Sequence, residues 1–180
     1  MKPKSSSNVA LDGSEEVIIL HAHSGGRNPV GEEMSDASDS FARLLSRMTG
    51  AICRAEAVEA AQCFTPDGVY HDGFYGEFVG REAIARMIRD FFYRDAREFE
   101  WLVSDACSDG RVGYARYRFS YISKIQGSEG RRIGFSGISF CVLQGGHIGR
   151  YGEIFERAPV LAQLGFADER ILKAVKRWAG

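Results

Sequence analysis

The sequence has no Cys-x-x-Cys pair: its four cysteines, Cys53, Cys63, Cys107 and Cys141, stand apart from one another and at no metal-ligand spacing from a histidine. That excludes the signatures of a zinc ribbon and of a disulfide framework, and the thiols are expected to be reduced and mostly buried. No apolar run approaches the roughly 20 residues of a spanning helix. The short stretch Val17-Ile18-Ile19-Leu20 follows acidic residues rather than a basic n-region, so no membrane association is expected and the cytoplasm is the expected compartment. Neither sign of charge dominates, since 23 Lys and Arg stand against 24 Asp and Glu. The basic residues are scattered among the acids, which argues against a nucleic-acid partner and favours a neutral small ligand. There is no Gly-x-Gly-x-x-Gly after a strand, no His-Glu-x-x-His and no P-loop, so neither a cofactor nor a metal is expected.

What remains is a chain of 180 residues, enough for one well-buried core and short for two. Residues 1–37 are rich in Ser, Gly, Glu and Asp and read as a flexible tail, and residues 38–180 as one folded domain. Met34, directly before the first periodic segment, is a candidate start of the natural chain. His21 and His23 look like half of a metal site but lack partners in the tail.

From Ser40, Phe41, Leu44, Leu45, Met48 and Ile52 recur at helical spacing, and Ala55 to Phe64 continues as a second helical stretch. Thr65-Pro66-Asp67-Gly68 is a turn signal. A short strand, Val69 to His71, leads into a loop with Gly73, Gly76 and Gly80. A third helix starts near Arg81, with Ile84, Met87, Ile88, Phe91 and Phe92 as its buried stripe and Arg81, Arg86 and Arg89 facing water. The period then changes, and strands are expected over Phe99 to Ser104, Arg111 to Ile125, Ile133 to Leu143 and His147 to Arg157, joined by Asp-Gly and Gly-Gly turns. Helices followed by an antiparallel meander predict an α+β fold with a cavity between sheet and helices. A last helix opens at Ala167 and carries Ile171, Val175 and Trp178, and Trp101 and Trp178 are expected in the core or at an interface.

The run Phe64-Thr-Pro-Asp-Gly-Val-Tyr-His71, followed by Gly80-Arg81-Glu-Ala-Ile84, resembles the signature of the SnoaL-like, or nuclear-transport-factor-like, superfamily. The resemblance extends from Ser40 to about Ala162. It implies a cone-shaped curved antiparallel sheet wrapped around N-terminal helices, a cystatin-like α+β barrel, with a single pocket for a small hydrophobic ligand and pairing into a homodimer. The superfamily includes ketosteroid isomerases, limonene-epoxide hydrolases, polyketide cyclases, dehydratases and non-enzymatic binding proteins, so activity must be argued from the site. Val69-Tyr70-His71-Asp72 resembles the stretch of the isomerases that ends in their proton-shuttling carboxylate, which implies that role for Asp72. Tyr151-Gly-Glu153-Ile-Phe155-Glu156 resembles the run of the hydrolases that holds the water-activating acid, with Glu153 in its place.

The departures are as informative. No tyrosine occurs in the first two helical segments, and the strand that should carry the isomerase's second acid reads Gly137-Ile138-Ser139, so that oxyanion hole is expected to be missing. Where the hydrolases have Arg-x-Asp, this chain has Arg116-Tyr117-Arg118. Glu153, Asp72 and His71 are the candidate catalytic groups, and Tyr70, Tyr75, Arg116, Arg118, Tyr151 and Phe155 the candidate substrate contacts. Each has a plainer alternative. Tyr151, Glu153 and Phe155 share a strand face, and Glu153 either sits among aromatics with a raised pKa or pairs with Arg116 or Arg118 across the sheet. Asp72 is a pocket acid or a cap on the amides near Gly73, and His71, its strand neighbour, cannot share its face unless the loop bends the chain. The two arginines either clamp an anionic group of the substrate or lie on the outer face at a dimer contact, while Tyr117, Phe119 and Tyr121 form the opposite, aromatic face. The expected function is cofactor-independent acid–base chemistry on a hydrophobic, oxygen-bearing polyketide, terpenoid or steroid-like compound, or ligand or partner binding without catalysis.

Overall fold

Phe41, Leu45, Met48 and Ile52 lie on one stripe of a 3.6-residue helix, and all four are fully buried, which is what holds α1 (Pro29–Cys53) across the sheet. The computed structural model describes residues 29–179, so Val17 to Leu20 and the His21/His23 pair fall outside it. Residues 29–37, read from sequence as tail, form the first turns of α1. The helix ends where Ala55 takes φ 62°. Two of its last carbonyls, those of Ile52 and Cys53, accept hydrogen bonds from the Tyr93 hydroxyl at 2.6 and 3.1 Å, satisfying groups that a helix end leaves open. The short α2 (Ala57–Gln62) then buries Ala57, Ala60 and Ala61.

β1 (Phe64–Asp72) is longer than the sequence suggests because the Thr65–Gly68 turn signal folds as an irregularity inside the strand. Phe64 pairs with Ile148 and Val69 with Arg150, so four residues of one strand stand opposite a single residue of the other. Gly68 is needed there, since a Cβ would lie 2.9 Å from both the Ile148 carbonyl oxygen and the Phe64 Cβ. The Gly-rich loop contains a strand of its own, β2 (Gly76–Val79), antiparallel to β1. α3 (Arg81–Met87) continues through a π-helical turn (Ile88–Phe92) into α4 (Tyr93–Asp95). Ile84, Met87, Ile88 and Phe92 are buried as their spacing predicts. Arg81 does not face water as expected: its Nε and Nη2 donate to the Phe64 carbonyl at 2.8 and 2.6 Å, bracing the start of the β1 irregularity.

β3 (Ala96–Ser108), β4 (Val112–Ser123), β5 (Arg132–Gln144) and β6 (His147–Phe155) form the antiparallel meander. β1 joins β6 in parallel, giving a six-stranded mixed sheet in the order β2-β1-β6-β5-β4-β3. The sheet is curved and unclosed, an open α+β architecture rather than a complete barrel. Register shifts in β3 at Arg97/Glu100 and Ser104/Cys107, with Glu98 and Asp105 both at φ 53°, supply the local bends that curvature requires. α5 (Arg157–Gln163), which the sequence reading did not anticipate, and α6 (Asp168–Trp178) follow the last strand. Val160 and Leu164 of the α5 region pack with Ile133 of β5, next to Phe135, Phe155 and Phe166. Among the described residues no helix is long and apolar enough to cross a membrane.

Candidate acid pair in an aromatic cavity

The two-residue period of the strands decides which side chains meet inside the curved sheet. On β1, Tyr70 and Asp72 point inward with 0% and 6% exposure, and His71 between them is exposed. His71 is therefore removed from the cavity: the Gly73 loop does not bend the chain enough to bring both neighbours in. On β6, Tyr151, Glu153 and Phe155 share the inner face, while Ile154 points outward. On β4 the inward set is Tyr117, Phe119 and Tyr121. Arg116 and Arg118 lie exposed on the outer face, where Arg116 pairs with Asp105 at 3.4 Å. They cannot clamp a ligand inside, and Glu153 cannot pair with them; its cross-strand neighbour is Ser139.

The inward faces enclose a cavity of about 220 Å³. Phe74, Phe135 and Phe155 wall one end, with Phe135 stacked on Phe155 at a centroid distance of 4.4 Å. Phe92, Phe99, Trp101 and Phe119 wall another side, and Leu161, Leu164 and Phe166 close it from the C-terminal segment. Three acids open on this space, Asp72, Glu153 and Asp95.

Glu153 is hemmed in by tyrosines. The Tyr151 hydroxyl donates to its Oε2 at 3.3 Å and lies 3.1 Å from the Ser139 hydroxyl. Burial, and next the charge of Asp72, push the Glu153 carboxyl up to about 8, so at neutral pH it holds a proton. The Asp72 carboxyl is also raised by burial, but it is pulled back by backbone N–H groups and by His71. Those N–H groups belong to Phe74 and Tyr75 and donate to Oδ1 at 2.7 and 2.8 Å, leaving Oδ2 free of them. The amide-capping alternative for Asp72 is thus realised together with its place at the cavity. Burial thus raises both carboxyls that open on the one pocket.

A second polar corner lies at the α4 side. Tyr75 lines the cavity, as its candidacy required, and its hydroxyl donates to Asp95 Oδ2 at 2.6 Å. Arg94 holds the same carboxylate from outside with two bonds of 2.7 Å. The Arg94 guanidinium keeps Asp95 below the usual carboxylate range, and burial followed by the Asp95 hydrogen bond pushes the Tyr75 phenol well up.

Sequence reasoning missed Trp101, Phe119, Tyr121, Phe135 and Asp95 as lining residues, and Tyr117 as a neighbour of Glu153. The signal was present for β4, whose aromatic alternation is plain in the sequence but does not say which face turns inward. Tyr117 is 2% exposed, and burial and then the nearby Glu153 charge raise its pKa well above the ordinary range.

The SnoaL-like domain family model matches residues 45–151. None of the curated proteins matches the chain. Among solved structures, TsrD from Streptomyces laurentii shares 19% identity at a TM-score of 0.60, over 71% of this chain and 96% of that one. An LEH-like epoxide hydrolase from M. tuberculosis shares 17% at 0.58, over 79% of this chain and 96% of its own. A hypothetical protein with a ketosteroid isomerase-like fold from Catenulispora acidiphila, solved in complex with trimethylamine, shares 17% at 0.62, over 69% of this chain and 93% of its own. Likeness at this level of identity establishes the fold.

Proposed function

The chain belongs to the SnoaL-like domain family, and from that premise we propose that it is a cofactor-independent enzyme that moves a proton on a small apolar, oxygen-bearing molecule. Asp72 is the base and Glu153 the acid, so the reaction is an isomerisation, dehydration, cyclisation or hydration. The observation that carries this reading is that two carboxyls, Asp72 and Glu153, open on the same aromatic cavity. In such a site Asp72 Oδ2 takes a proton from carbon or from water, while Glu153 gives its proton to the oxygen on which charge develops. The aromatic walls exclude water and keep both groups unsolvated. The volume of about 220 Å³ lies below the roughly 300–1,000 Å³ usual for ligand pockets. That favours a monocyclic or short-chain substrate over a steroid.

Solvent-deuterium incorporation tests it. In heavy water, small cyclic and aryl ketones are expected to exchange their α-hydrogens in the presence of the protein, followed by NMR. Asp72→Asn should slow that exchange by about 100-fold or more. The asparagine carbonyl can still accept the Phe74 and Tyr75 amides, so the turn survives the substitution. The other reading, binding without turnover, is favoured by the two amides already taken by Asp72 Oδ1. It predicts that wild-type protein binds these compounds and exchanges nothing.

The proposal includes a pair of copies joined through the outer sheet face. Exposed Leu102, Tyr114, Ile138, Val142 and Ile154 support it, because an apolar sheet face of this kind is usually covered. Light scattering is expected to return twice the chain mass, and a monomer's mass at micromolar concentration would remove the pairing.

A further inference from the structure

The cavity has aromatic side chains on several sides, and among the described residues every side chain of charged type that lines it is an acid. The nearby cations are engaged elsewhere. Arg94 grips Asp95 from the surface with more than half of its side chain exposed. Arg157 donates to the Gly73 carbonyl at 3.1 Å and lies 4.0 Å from the centre of the Trp178 ring. His71 is exposed on the other side of β1. Tyr70, fully buried and lining the cavity, has a hydroxyl with no hydrogen-bond partner among the described residues, so a polar group waits at the wall for a ligand atom. Among the described residues no positive charge inside the cavity balances its acids.

Such a lining suits positive charge spread over an apolar body. Aromatic faces attract a cation through their quadrupoles, most strongly where water is excluded, and an enclosed carboxyl that now holds a proton can release it to become the counter-ion. A metal ion is a poor fit, because among the described residues no three His, Cys, Asp or Glu side chains converge at ligating distance. An organic cation needs no such convergence. We propose that the cavity binds an organic cation, a protonated or quaternary amine on a small apolar frame, with Glu153 and Asp72 opposing its charge and the Phe92, Phe99, Trp101 and Phe119 faces enclosing its methyl or methylene groups.

The inference rests on reading this cavity as the ligand site, and it adds a basic nitrogen to the substrate. Calorimetric titration of the full chain with choline and with its uncharged carbon isostere, in which carbon replaces the nitrogen, tests it at neutral pH. The two probes have the same shape, so the ratio of their affinities reads charge alone. Choline is expected to bind at least about tenfold tighter, and the combined Glu153→Gln and Asp72→Asn variant to lose that preference while still binding the isostere. Equal or tighter binding of the isostere by wild-type protein overturns the inference. So does binding of small ketones with no binding of choline, an outcome that leaves the acid–base reading intact. Failure of all these probes to bind would sink both.

Discussion

Glu153→Gln is expected to give a protein that turns over far more slowly and yet resists unfolding better than the wild type at alkaline pH. The carboxyl titrates near 4.5 when free and at about 8 in the folded protein, mainly because burial disfavours its charge. The folded state therefore keeps a proton that the unfolded chain has already released. Below about pH 4 both states are protonated and Glu153 costs nothing. As pH rises from about 4.5 to 8 the folded state loses stability relative to the unfolded, and above 8 the full cost is present. At about 1.4 kcal/mol per pKa unit, that cost is on the order of 5 kcal/mol. Glutamine has nearly the same shape and never ionises, so the variant escapes the loss. Urea unfolding of both proteins at pH 5 and pH 9 measures it: the stabilities should be close at the lower pH and separate in favour of Gln at the higher. Parallel curves would mean that Glu153 titrates normally in the fold, and its role as acid would go with them. Turnover should fall by roughly 10²–10⁴, the usual contribution of a positioned proton donor. A residue that costs stability where it sits is better explained by chemistry than by packing.

The strands were legible because β3 to β6 alternate strongly and are separated by glycine turns. So was the helix stripe of Phe41, Leu45, Met48 and Ile52. What alternation cannot say is which face turns inward. β4 carries arginines on one face and aromatics on the other, and the sheet's outer face also bears apolar side chains such as Ile138 and Ile154. Sequence therefore left Arg116 and Arg118 either in the cavity or on the outer face, and the folded sheet turns Tyr117, Phe119 and Tyr121 inward. β2 was hidden because four residues beginning with glycine give almost no periodicity. α5 was hidden by Pro159, which stands in its first turn, where a missing N–H removes no helical bond. Its Leu161, together with Leu164 and Phe166 just beyond it, closes the cavity, so the site could not have been completed from the strands alone. Asp72 and Glu153 were found through the resemblance of their runs to known families, and spacing by itself would have ranked them no higher than other strand acids.

Gly137→Ala should do large damage for a one-carbon change near the site. A Cβ at this position would stand 2.5 Å from the Ile154 carbonyl oxygen and 2.6 Å from the Tyr117 hydroxyl. The first is backbone of the neighbouring strand and the second the end of a side chain that is 2% exposed, so neither can yield without parting β5 from β6 or expelling Tyr117. Overpacking of this kind costs about 3 kcal/mol. The strain falls where β6 presents Glu153 and Phe155, so ligand affinity should drop with stability. Gly134→Ala, on the same strand, is the control: its nearest neighbours would be the Ser120 Cβ at 3.6 Å and the Phe119 carbonyl at 3.7 Å, ordinary contact distances, and it should cost less than about 0.5 kcal/mol. Thermal unfolding of both variants, with calorimetric ligand titration at a temperature where each is folded, separates the two cases. If the two alanines cost the same, the close approach of Tyr117 to β5 has no weight in the fold. A glycine inside a strand often marks where another group must come near. Gly137-Ile138-Ser139, which in sequence registers as the lack of an isomerase's second acid, leaves the space that lets Tyr117 lie beside Glu153.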